Sequence, residues 1–128
     1  MINSSPIYAG LLALLFLYFS LRVVQARIRH KVSVGDGGQP DVVKAMRVQA
    51  NCAEYAPIGI LLLLMAELQG MPVWLVHVFG LMLLAGRGLH GWGMGSTPQI
   101  IAGRQWGMRL TLSMIALTAL ANIGHALF

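Results

Sequence analysis

Residues 45–68 read AMRVQANCAEYAPIGILLLLMAEL, a stretch long enough to cross ~30 Å of hydrocarbon as a helix, for which ~20 residues suffice. Yet Arg47, Asn51 and Glu54 stand inside it, and each charge within a span costs about 2.5–3.5 kcal/mol or more unless it is paired, snorkels or serves a function. Arg47, Asn51, Glu54 and Tyr55 fall at i, i+4, i+7 and i+8, which places them on one helical face, with Arg47 in hydrogen-bonding reach of Asn51 and Asn51 of Glu54. Such a row is expected to face neighbouring helices or a polar cavity, not lipid.

Outward from this stretch the chain repeats the theme. Of its 128 residues, 57% are hydrophobic and 10% charged, a composition that excludes an ordinary soluble domain of this size. Apolar segments recur at 6–26, 72–93 and 107–128. The reading is an all-α integral membrane four-helix bundle, one transmembrane domain over 1–128, with helices at about 6–30, 41–69, 72–94 and 103–127. The first segment is expected to be retained, since neither a basic n-region nor a small-residue cleavage site flanks it. KVSVGDGGQP at 31–40 is the clear loop, Asp41 the expected N-cap of the second helix, and Gln69–Pro72 a tight turn that makes helices two and three antiparallel neighbours.

The net charge of +5 does not indicate nucleic acid, because the cations sit at helix ends and at isolated points within apolar segments instead of on one solvated face. Arg27, Arg29, Lys31 and Lys44 surround the first connection and Arg104 and Arg109 follow the third, so both connections are expected in the cytoplasm and both termini outside it. Tyr8, Trp74 and Trp106 read as interfacial anchors. The lone Cys52 reads as a packed thiol, and His77 and His125 as satisfied or interfacial histidines, with no spacing that indicates a metal. Pro57 is expected to kink the second helix. Gly80, Gly86, Gly88, Gly91 and Gly93 crowd the third, which reads as close packing around an intersubunit axis or site.

In the third segment Arg87 and His90 stand at i and i+3, and Arg87 is the expected partner of Glu54, because a lone carboxylate in a low dielectric would take up a proton. On the residues alone, a structural ion-pair network and a binding site both stand. Arg22, Arg47, Arg87, Arg104 and Arg109 nevertheless outnumber Glu54 near one end of the spans, and an unmatched cationic cluster points to a bound anion.

Residues 47–57, RVQANCAEYAP, resemble the RxxxNxxExxP signature of the MAPEG family, the membrane-associated proteins of eicosanoid and glutathione metabolism. Gly35-Asp36-Gly37-Gly38 is similar to the GDGG that precedes helix two in small bacterial members. Arg87-Gly88-Leu89-His90 resembles the helix-three RxxH or RxxY element, and Arg104-Gln105-Trp106-Gly107-Met108 the start of helix four. The resemblance spans essentially the whole chain. It implies a homotrimer in the bacterial inner membrane, with glutathione as co-substrate held between protomers and its thiolate attacking a lipophilic electrophile or reducing a hydroperoxide. Residue by residue, it implies that Arg47 binds a glutathione carboxylate, that Asn51 and Glu54 hold the amide or amino end, and that Arg87 orients Glu54 or touches the peptide. His90 replaces an aromatic hydroxyl of some relatives, Met94 stands where some place a tyrosine, and Arg104 stabilises the thiolate with Arg109 as competitor. Tyr55 and Arg22 are secondary candidates, read chiefly as packing and snorkelling. The rival readings are a non-catalytic lipid-binding or accessory protein of the same fold and a small exporter of cations. The exporter needs an acid deep in a span, usually in the first, and the first helix has none.

Overall fold

A computed structural model describes residues 3–128. Four α-helices follow one another: α1 (Ser5–His30), α2 (Pro40–Leu68), α3 (Val73–Gly95) and α4 (Ile101–Leu127). Each is long and apolar enough to cross a membrane, and there is no strand among the described residues. The chain is an all-α bundle of membrane-spanning helices. α2 packs against all three others, α3 likewise, and α1 and α4 lie on opposite sides of that central pair without touching.

Each end of a helix has a local cause. Pro40 occupies the first turn of α2, where its missing N–H costs nothing, so Gln39 is the N-cap and Asp41 sits two positions too late to cap. The expected capping role of Asp41 is therefore corrected: it lies in the first turn, where a carboxylate favours the helix dipole. α1 ends on Lys31 in the left-handed region, and the next turn needs positive φ at Gly35, Gly37 and Gly38. Asp36 fixes that turn by accepting the Gly38 N–H at 2.8 Å. A non-glycine residue would be strained there, which explains the GDGG run.

The N-terminus of α1 is capped from a distance. Glu67, near the end of α2, accepts the backbone N–H groups of Asn3, Ser4 and Ser5 at 3.0, 2.8 and 2.8 Å and the Ser5 hydroxyl at 2.5 Å. One carboxylate thus satisfies donors that a helix start leaves orphaned. Beside it, Tyr8 is buried, its ring seated where Gly80 has no side chain and its hydroxyl 2.9 Å from His77 Nδ1. Tyr8 is accordingly an internal residue and not the interfacial anchor expected from its position; Trp74 and Trp106 are exposed, as anchors should be.

Packing divides the bundle along its length. The half near Glu67 has an apolar core of Tyr8, Leu12, Leu63, Val76, Leu83 and Met114. Toward the first and third connections, Phe19, Val48 and Cys52 form a smaller core, and polar groups take over. α3 and α4 meet backbone to backbone: a Cβ on Gly107 would lie 2.4 Å from His90 N and 2.6 Å from Gly86 O, and one on Gly93 2.6 Å from Arg104 N. Gly80 and Gly91 instead receive the rings of Tyr8 and Phe19 from α1. Four of the crowded glycines of α3 therefore serve the close helix packing that their crowding indicates, here within one chain.

Candidate functional site

The close α3–α4 contact sets the position of Arg87. This residue is 1% exposed, in the interior of a membrane bundle. Its Nε donates to Thr111 Oγ1 at 2.9 Å, and Nη1 donates to the Asn51 backbone oxygen at 3.4 Å and to Asn51 Oδ1. The guanidinium lies 5.1 Å from the centre of the Tyr55 ring and 3.9 Å from Met108 Sδ. Among the described residues no carboxylate comes within salt-bridge distance of it. Its charge is instead shared among an amide, a carbonyl, a hydroxyl and a π face, each a partial compensation for desolvation.

The expected Arg87–Glu54 pair is thus corrected. Glu54 turns away from α3 and stands 4.0 Å from Arg47 Nη1, with both side chains more than half exposed. The row read on one helical face divides. Asn51 points inward to Arg87, Arg47 and Glu54 point out of the protomer, and Tyr55 lies between, half-buried over the guanidinium. Glu54 is the fifteenth of the 29 residues of α2, close to mid-span, where an exposed carboxylate would meet hydrocarbon.

Around this face the other candidates separate. His90 is buried one turn from Arg87, beneath the backbone of Gly107, and lies within electrostatic range of both Arg87 and Arg104. Arg104, half-buried in the first turn of α4, donates to Gln99 Oε1 at 2.6 Å. Gln99 in turn borders a recess of about 350 Å³ shared with Arg47, Met94 and the start of α2. Lys44 holds that recess in shape by donating to Ser96 O at 3.2 Å and Thr97 Oγ1 at 2.6 Å. The structure therefore brings Asn51, Tyr55, Arg87 and His90 into one cluster and sets Arg47, Glu54 and Arg104 on its outer side.

Two candidates fall outside it. Arg109 is exposed and lies 5.0 Å from the Trp106 ring centre. Arg22 is exposed, donates to Tyr18 Oη at 3.1 Å and lines a different cavity. Thr111 escaped the sequence reading although it anchors Arg87. Its signal was present in the buried series Gly103, Gly107, Thr111, Met114, Thr118 and Asn122, spaced by threes and fours along α4. No group of three or more His, Cys, Asp or Glu suited to a metal occurs among the described residues.

The inward Asn51 and the exposed Arg47–Glu54 pair of α2 are residues of the RxxxNxxExxP signature, and the buried guanidinium beside them comes from α3. The sequence model of the MAPEG family matches residues 5–124. This chain belongs to the MAPEG family. Among MAPEG relatives it is 40% identical over 121 residues to the inner membrane protein YecN of Escherichia coli K12, covering 94% of this chain and 91% of that protein. It is 36% identical to human microsomal glutathione S-transferase 2 over 111 residues, 85% of this chain and 73% of the relative. Leukotriene C4 synthase of Cavia porcellus shares 32% over 116 residues, 89% and 77% of the two chains. These MAPEG likenesses run through all four helices rather than through the motif alone.

Proposed function

We propose that the chain is a protomer of a homotrimeric glutathione-dependent transferase or peroxidase of the bacterial inner membrane. The observation that carries the proposal is the exposed Arg47–Glu54 pair within a membrane-spanning helix, beside a buried guanidinium with no carboxylate partner among the described residues. A second copy against that face, with an anionic tripeptide between them, would remove the polar groups from lipid and supply the missing negative charge. The names of the glutathione transferase and synthase relatives support the ligand, and that of the Escherichia coli relative supports the membrane. The Lys and Arg distribution supports termini on the non-cytoplasmic side.

In this reading Arg47 takes a glutathione carboxylate and Glu54 the α-amino group. Arg87 already occupies Asn51 Oδ1, so the Asn51 amide nitrogen is the group left to donate to the peptide. Arg87 therefore acts by fixing Asn51, and His90 by closing the floor. Arg104 stabilises the thiolate as the thiol proton leaves to water. The sulfur then attacks an electrophilic carbon, a C–S bond forms, and the displaced group or opened ring keeps the electron pair. With a hydroperoxide, two glutathiones end as the disulfide while the O–O bond is reduced to an alcohol and water. The lipophilic partner reaches the sulfur from the bilayer.

Stopped-flow absorbance at the thiolate band, after mixing detergent-solubilised protein with glutathione, tests this. Thiolate should appear and decay as a general electrophile is conjugated, and Arg104→Ala should lose most of the signal. Absence of thiolate and conjugate in the wild type would overturn the enzymatic reading. It would favour the non-catalytic alternative, in which the Arg87 network only holds the bundle together.

A further inference from the structure

A second cavity, of about 490 Å³, opens between α1 and α3 over the first half of α2, and none of Arg47, Asn51, Glu54, Arg87, His90 or Arg104 lines it. Its walls change character along their length. Arg29 and Lys44 stand at the mouth beside the third connection, and Arg22 lies two helical turns deeper; Tyr18 and Trp92 follow, and Leu15 lies at the bottom. The fifteen residues from Arg29 to Leu15 span roughly 20 Å of helix.

Three cations line the groove against one carboxylate, that of Asp41, which lies 3.4 Å from His30. Neither Arg22 nor Arg29 has a carboxylate within salt-bridge distance among the described residues. Lys44 is held in place by its bonds to Ser96 and Thr97, and Arg22 by Tyr18. On the α3 side the wall is open at Gly88, where no atom lies within 4 Å of a would-be Cβ. A free anion would match only the mouth. A molecule anionic at one end and aliphatic at the other, lying parallel to the helices, matches the whole groove.

We propose that this groove binds an anionic phospholipid, its phosphate among Arg22, Arg29 and Lys44 and an acyl chain running past Tyr18 and Trp92 to Leu15. Basic pockets between spans on the side bearing the positive connections are suited to such headgroups. Arg22 is thereby a lipid ligand and not part of the Arg47 face. The site stands independently of glutathione binding.

The test titrates delipidated protein in a neutral detergent with dioleoyl phosphatidylglycerol, with dioleoyl phosphatidylcholine and with inorganic phosphate, reading occupancy by native mass spectrometry. Phosphatidylglycerol should bind at least tenfold more tightly than phosphatidylcholine. Arg22→Gln and Arg29→Gln, both at exposed positions that folding tolerates, should each weaken it about fivefold and leave phosphatidylcholine unchanged. Lys31→Gln, which removes an exposed cation outside the groove, should change nothing. Equal affinity for the two lipids, retention of the preference in both arginine variants, or displacement of phosphatidylglycerol by inorganic phosphate would overturn the proposal.

Discussion

Arg87 and Glu54 are both ionisable residues in membrane helices, and their environments are opposite. Arg87 is enclosed and multiply bonded; Glu54 is exposed and 4.0 Å from its nearest cation. The presence of both charges was legible in the sequence, but their pairing was not. Charge complementarity favoured a direct ion pair, whereas the close approach of α4 at Gly107 brings Thr111 to Arg87 and leaves Asn51, not Glu54, on the inward side. The difference has a consequence for mutation. Within one chain no contact among the described residues other than the 4.0 Å approach of Arg47 holds the Glu54 carboxylate, so Glu54→Gln should leave thermal unfolding of the ligand-free protein nearly unchanged. The same variant should weaken glutathione binding at least tenfold by calorimetry, since it removes the partner of the α-amino group. Equal losses in both measurements would make Glu54 structural.

Helices were legible from length and hydropathy, because both are properties of neighbouring residues. The contacts that join one helix to another were not. Glu67 caps α1 from 62 to 64 residues away, and no local pattern announces a cap supplied by another span. Glu67→Gln replaces an accepting oxygen with a donor, so hydrogen exchange at Ser4 and Ser5 should quicken about tenfold or more, at a cost of about 1–3 kcal/mol to that end. Exchange unchanged there would show that the cap contributes nothing. The α3–α4 contact makes a sharper prediction. At Gly107 a Cβ would meet backbone atoms that cannot turn aside, while at Gly124 it would meet nothing within 4 Å. Gly107→Ala should destabilise the bundle by about 1–3 kcal/mol, whereas Gly124→Ala should be neutral or stabilising by about 0.5–1 kcal/mol, both read by thermal unfolding in detergent.

At the scale of the whole molecule, the larger apolar core lies at one end of the bundle and a smaller one at the other, beside the polar cluster, and in the proposed trimer a second copy covers the outward face of α2. Exposed leucines such as Leu14, Leu17 and Leu120 suit lipid, but the outward Arg47 and Glu54 do not. The RxxxNxxExxP spacing made the family legible, while the division of that row into an inward and an outward side needed the neighbouring helices. A ligand that binds only the folded protein raises its apparent stability, by about 2.7 kcal/mol at a hundredfold excess over its dissociation constant. Thermal unfolding of the solubilised wild-type protein, with and without millimolar glutathione, is therefore the most direct measurement. A midpoint that rises with glutathione concentration and fails to rise in Arg47→Ala is the predicted result. A wild-type midpoint indifferent to glutathione would contradict a glutathione site on the α2 face.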